Sequence, residues 1–396
     1  MKITSVDIID VANDFSSATS KWRPTVVKVN TDEGICGFGE VGLAYGIGAS
    51  AGIGMAKDLA GIIIGMDPMK NEAIWDKMQK KTFWGQGGGT VFSAGMSAID
   101  IALWDIKGKA LNAPLYQLLG GKTRDKIRSY ASQLQFGWGA GSDKAMLIEP
   151  EQYAETARIA VAEGFDALKV DPIAMDERGN WNQRNLTGVL SDRTLRLGYN
   201  RLKAMREAIG RDIDIIVEMH AFTDTTAAIQ FGKMIEGLGI YYYEEPVMPL
   251  NPKQMKKVAE NVNIPIAAGE RIYTRWGYRP FLEDGSIDVI QPDICTCGGI
   301  SEVKKICDMA HVYDVTVQIH VCGGPISTAA ALHMEAAIPN FIIHELHRFA
   351  LLEPNTKTCK YNYLPTNGYY DVPELPGLGQ ELTDAAIKES DVITVK

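Results

Sequence analysis

Ile213-Asp214-Ile215-Ile216-Val217-Glu218 decides the reading of this chain: a β-branched apolar run that stops on a carboxylate. The device recurs in runs at 240–243, 264–267, 289–290, 315–319 and 341–343. These lead to Glu244, Glu270, Asp293, His320 and Glu345, at successive intervals of 26, 26, 23, 27 and 25 residues. Each interval holds one strand and one amphipathic helix, so the pattern predicts repeated βα units with parallel, buried strands. Two earlier runs, 127–130 and 167–170, bring the strand count to eight. A barrel is favoured over an open doubly wound sheet, because a barrel turns every strand's C-terminal end to one mouth and gathers these polar ends there.

Outward from the barrel the rhythm changes. Alternating runs at 2–8 and 25–29, an Asp32-Glu33-Gly34 turn and a strand at 35–38 predict a small antiparallel sheet, and 97–108 carries apolar residues at helical spacing. The chain therefore divides into an α+β domain at 1–125, a barrel at 126–350 and a turn-rich C-terminal segment at 351–396, expected to pack back on the first sheet. Its 396 residues, 46% hydrophobic and 22% charged, match a folded chain of two or three domains. With 40 Lys+Arg against 49 Asp+Glu, the formal charge of −9 argues against a general nucleic-acid or anionic-membrane binder. The 6 cysteines lack disulfide-framework or paired zinc spacing, which implies reduced thiols. Neither a basic-apolar leader nor a membrane-length apolar run is evident, so a cytoplasmic location is expected.

Alone, a glutamate at a strand end is usually a solvated cap or an ion-pair partner. Glu218, Glu244 and Glu270 stand in register on three successive strands, where their charges would repel unless a hard cation neutralised them, and an all-oxygen set suits Mg²⁺. His220 lies two residues past Glu218, which on an extended strand puts both on one face. Asp293 and His320 end neighbouring strands, so the carboxylate is expected to meet the imidazole and raise its basicity. Glu345 closes the ring opposite the metal. Lys169 and Asp171 point two polar groups from the second strand to the mouth, as candidate substrate binders. The other histidines, 311, 333, 344 and 347, fall in helical windows or off this register and receive no role. The stretch 175–198, with Trp181, is a lid candidate by its length. Gly120-Gly121-Lys122-Thr123 lacks the earlier glycine of a phosphate loop, and the glycines at 85–89 have no dinucleotide spacing and read as a helix entry.

With these residues in place the chain resembles the enolase superfamily, mandelate racemase subgroup. Ser97 to Gly121 (SAIDIALWDIKGKALNAPLYQLLGG), Tyr243-Glu244-Glu245-Pro246, Ala267 to Arg271 (AAGER), Gln291-Pro292-Asp293, Gly298-Gly299-Ile300 and Asp371 to Gly379 carry the likeness. It implies a modified (β/α)8 barrel, (β/α)7β, under an α+β N-terminal capping domain completed by the C-terminal segment. It also implies Mg²⁺-assisted removal of the proton α to a carboxylate, through an enediolate. Within the subgroup the chain is similar to acid-sugar dehydratases of the D-galactonate dehydratase kind, by His220 and by Gly324-Pro325-Ile326. That likeness implies a lyase acting on an aldonate-type sugar acid to give a 2-keto-3-deoxy acid. His320 with Asp293 would be the base, His220 the acid, and Glu345 would stabilise the intermediate. It further implies a small-molecule partner only and a homo-oligomer, dimer or octamer. Glu218 stands where these dehydratases usually carry Asp, and Asp171 where the racemases carry a second lysine. The early loop 16–24 matches the specificity loop of the family, with Trp22 and Arg23 as substrate contacts. Alternatives within the same chemistry are an epimerase or a cycloisomerase, and outside it a non-catalytic sugar-acid binding protein.

Overall fold

The computed structural model describes residues 1–12, 22–139, 146–181 and 186–396. Three antiparallel strands open the chain, β1 (Ile3–Asp10), β2 (Thr25–Thr31) and β3 (Cys36–Val41), followed by helices α1 (Ala49–Ile63), α2 (Asn71–Lys81), α3 (Thr90–Ala110) and α4 (Leu115–Leu118). Period-two positions Val6, Ile8, Val27 and Val29 form one apolar face. It packs on Ala56, Leu59, Ala60 and Ile63 of α1 and on Ala98, Ile99, Ala102 and Ile106 of α3, the i, i+3, i+4 stripe of each helix. Helix α3 lies directly on β3. A Cβ at Gly37 would stand 2.0 Å from the Ala102 carbonyl oxygen, so only glycine admits the approach.

The barrel follows as β4 (Lys126–Ala131), α5 (Pro150–Ala162), β5 (Ala167–Val170), α6 (Asp192–Ile209), β6 (Asp214–Glu218), α7 (Thr225–Ile235), β7 (Ile240–Glu244), α8 (Pro252–Ala259), β8 (Ile266–Ala268), α9 (Thr274–Asp284), β9 (Val289–Ile290), α10 (Gly299–Val312), β10 (Thr316–Val317), α11 (Pro325–Ala337) and β11 (His344–Leu346). All eight strands run parallel in chain order, with β11 beside β4. The ring closes where Val317 N–H donates to the Asn340 carbonyl and Ile342 N–H to the Val317 carbonyl. Eight strands and seven helices make the (β/α)7β form. The eighth strand differs from its sequence reading: 340–342 leans on β10, and the ladder to β4 forms at 344–346, because one strand must pair with both neighbours to close the barrel. Tyr130, Ala167, Ile216, Tyr242, Ala267, Val289 and Ile343 fill its interior.

The C-terminal segment laces the two parts. β12 (Tyr369–Asp371) runs antiparallel on β4, Gly377 bonds Ala113 and Leu115 after α3, and β13 (Asp391–Val395) adds to the free edge of β1. Buried carboxylates of the cap also hold barrel helices by their N-termini. Glu40 accepts the N–H groups of Gly324 (2.5 Å) and Ser327 (3.0 Å) at α11, and Asp100 accepts that of Ser301 (2.9 Å) at α10. Burial pushes both carboxyls up to about 7, against the N–H donors that favour their charge. No helix among the described residues is long and apolar enough to cross a membrane.

Candidate active site

Parallel pairing sets the floor of the site. Glu218 lies opposite Glu244 in the ladder, Glu270 follows β8 by two residues, and one oxygen of each lies within 4.8 Å of the others. Lys169 enters from β5, its Nζ 2.7 Å from Glu244 Oε1, 2.8 Å from Glu345 Oε1 and 3.2 Å from Glu218 Oε2. Burial and the adjacent Glu218 charge push Glu244 well above its ordinary range. Against its own burial, Glu218 is pulled down to about 2 by His220 and Lys169. Lys169 and Arg271 meet only part of this acidic group, and Glu244 Oε2 is buried without a hydrogen-bond partner. Three carboxylates converging around an unpartnered oxygen fit a hard divalent cation.

His320 Nδ1 is 2.8 Å from Asp293 Oδ2, and its Nε2 is 3.1 Å from Glu270 Oε2 and 3.8 Å from Glu345 Oε2. Asp293 is itself aimed by the Cys295 N–H, 2.7 Å from Oδ1. Burial alone would lower the His320 imidazole; Glu270 and Asp293 outweigh it and raise the ring well above its usual value. Glu345 Oε1 takes the Ser132 hydroxyl at 2.9 Å as well as Lys169, so it shares the lysine of the glutamate group.

His220 departs from its sequence reading. β6 stops at Glu218, and φ is +49° at His220 and +55° at Ala221, so the chain leaves the strand in a left-handed turn and the shared-face argument fails. The turn itself delivers the ring: the His220 N–H donates to Glu218 Oε1 at 2.8 Å, and Nδ1 meets Asp171 Oδ2 at 3.0 Å. Asp171 is thus a histidine partner and not a free substrate binder. Its other oxygen accepts the N–H groups of Ala174 (2.8 Å) and Ile173 (3.3 Å). Burial would lower His220 too, but Glu218 and Asp171 raise it to about 9.

These groups border a cavity of about 510 Å³ between the barrel mouth and the cap, with Lys169, His220, Glu270, Asp293, His320 and Glu345 on its wall. Arg23 is turned away from it: the guanidinium pairs with Asp10 on the adjoining strand and reaches Ser50 Oγ at 3.0 Å. Trp22 is buried behind the wall, donating to Asn355 Oδ1 at 3.2 Å and stacked on Phe349 at 4.8 Å between ring centres. The rest of that early loop, 16–21, and positions 182–185 of the lid candidate lie outside the described residues; Met175 and Trp181 bridge across the latter's start. Among the wall residues, Arg271, Cys322 and His347 were given no contact in the sequence reading. Arg271 joins Glu270 to the buried Glu245, and both stood within quoted motifs without an assigned contact. Cys322 and His347 stand two residues past His320 and Glu345, the same spacing that singled out His220 and Asp171.

Residues 152–386 match the enolase C-terminal domain-like family, and residues 9–120 the mandelate racemase/muconate lactonizing enzyme N-terminal domain. A solved enolase-superfamily member from Salmonella Typhimurium shares 78% identity over 100% of both chains, with a TM-score of 0.97. A Zymomonas mobilis ZM4 protein provisionally named a dehydratase shares 54% identity over 100% of this chain and 99% of its own, with a TM-score of 0.96. A similarly named Mesorhizobium loti protein shares 37% over 100% of both, at 0.90.

Proposed function

The chain belongs to the enolase superfamily, in its mandelate racemase/muconate lactonizing enzyme group, and from that premise we propose that it dehydrates a sugar acid to a 2-keto-3-deoxy acid. The observation that carries the reading is the pair of His–Asp couples, His320–Asp293 and His220–Asp171, at the edge of one carboxylate-floored cavity. Elimination of water across two carbons needs a base at one and an acid at the other.

Glu218, Glu244 and Glu270 would hold Mg²⁺, which when bound supplies positive charge against the developing enediolate. The chain's own residues do the rest. Asp293 keeps the His320 proton on Nδ1, leaving Nε2 to take the α-proton. Lys169, held among Glu218, Glu244 and Glu345, adds positive charge beside the substrate carboxylate, and Glu345 would accept a hydrogen bond from the protonated oxygen of the intermediate. The electron pair freed at the α-carbon forms the new double bond as the β-hydroxyl departs. His220 gives that hydroxyl a proton, so it leaves as water, and the enol settles to the ketone. An imidazole base suffices only because charge is met as it forms.

An endpoint screen of purified protein with Mg²⁺ against mono- and diacid sugars, with semicarbazide to capture 2-keto-3-deoxy products, tests the reading. A positive acid fixes reaction and stereochemistry together. A blank library overturns it. The second histidine couple also favours epimerisation, with the two imidazoles as opposed proton carriers; deuterium from solvent entering recovered substrate without keto product identifies that outcome.

A further inference from the structure

Cys322 and His347 line the cavity and touch each other, with Nε2 3.5 Å from Sγ. His347 continues extended geometry, φ −72° and ψ 133°, and its Nδ1 accepts the Phe349 N–H at 3.3 Å. A ring nitrogen that accepts a backbone N–H carries no proton of its own, so the neutral ring bears its proton on Nε2, against the sulfur. Burial holds the imidazole down to about 3 and the thiol up to about 12, so both stay uncharged. Trp22 and Phe349 stack on the ring, with centres 6.4 and 4.9 Å away, and fix its plane. Proton direction is therefore set along a line: Phe349 N–H to Nδ1, Nε2–H to Sγ, and the thiol proton of half-buried Cys322 left as the donor nearest the cavity.

The cavity's cations are already engaged. Among the described lining residues, Lys169 is tied to Glu218, Glu244 and Glu345, and Arg271 to Glu245 and Glu270. A carboxylate brought against Cys322 and His347 would be desolvated beside a thiol and close to Glu345, and the nearby Lys169 and His320 are already paired with carboxylates of the protein. A hydroxyl there finds both a donor and an acceptor.

Resting on the sugar-acid reading, the geometry points to Cys322 and His347 as the wall that receives the uncharged, hydroxyl-bearing far end of a monoacid sugar and turns away the second carboxylate of a diacid. Modification of wild-type Cys322 by N-ethylmaleimide, followed by mass spectrometry with Mg²⁺ and matched aldonates and aldarates, reads occupancy without turnover. Aldonates should slow labelling and the matching aldarates should not; equal or greater protection by aldarates, or none by any acid, overturns the proposal. On the monoacid that turns over, Cys322→Val should raise KM about ten-fold with kcat within about two-fold, and Cys322→Ser should restore KM. An unchanged KM in Cys322→Val, or a loss confined to kcat, also overturns it. The two readings fail separately: protection by an aldonate with no keto product from any acid sinks the dehydratase and spares the wall, whereas keto product without protection does the reverse.

Discussion

Of the three imidazoles on this cavity's wall, His220 and His347 follow different barrel strands, and their partners make them different reagents. His220 lies against Asp171 and Glu218 and is raised to about 9; His347 lies against a thiol and aromatic rings and is lowered to about 3. His347 is buried and His220 partly so, and desolvation pushes both downward. What separates them is whether a carboxylate is near enough to outweigh desolvation. The first imidazole is thus equipped to move protons and the second to recognise without charging.

Breaking a proton-moving group should cost most. His320→Asn is expected to lower kcat by about a thousand-fold or more while Mg²⁺ binding, followed by calorimetry, is retained. Turnover near the wild-type rate would remove His320 from the chemistry. Asp171→Asn tests the comparison itself, because it leaves His220 with a neutral partner much as His347 has. Its kcat should fall about a hundred-fold with little change in KM, and an unaltered kcat would mean that the carboxylate only packs. Glu244→Gln takes one formal charge from the floor, and Mg²⁺ affinity by calorimetry should weaken about ten-fold or more. An unchanged affinity would dismiss Glu244 as a ligand.

The smallest effect concerns the support of the neutral wall. Glu40 bonds the loop just after Cys322, and its folded value of about 7 exceeds the 4.5 of a free glutamate. A raised carboxyl favours the folded state below pH 4.5, and that contribution, on the order of 3 kcal/mol, is lost as pH rises from 4.5 to 7. Melting temperature from pH 5 to 7.5 should therefore fall by a few degrees more in the wild type than in Glu40→Gln. Equal slopes would show that Glu40 stays charged throughout.

The βα rhythm and the register of Glu218, Glu244 and Glu270 were legible because strand length and helix length recur, and parallel pairing turns equal spacing into equal height. His347 follows Glu345 by the same two residues that separate His220 from Glu218, yet it was set aside with the histidines that lie in helical windows or off the strand-end register. Conversely, that spacing placed His220 for a reason that does not operate, since a left-handed turn and not an extended strand carries the ring inward. Asp171 read as a substrate group because its partner lies 49 residues away, and nothing local announces such a bond. Arg23 failed similarly: the carboxylate that captures it, Asp10, sits on an adjoining strand across a loop. Glu40 and Asp100 were invisible as helix caps, because the helices they hold begin some 200 to 280 residues later.

β13 gives the cap a particular history. Its pairing with β1 means that the first strand of the chain waits for a neighbour made only after the entire barrel, on the order of a minute later at ordinary rates of synthesis. Throughout that interval one edge of β1 presents unpaired backbone groups to the ribosome's surroundings, so a growing chain is more vulnerable to strand addition by its neighbours than the finished one.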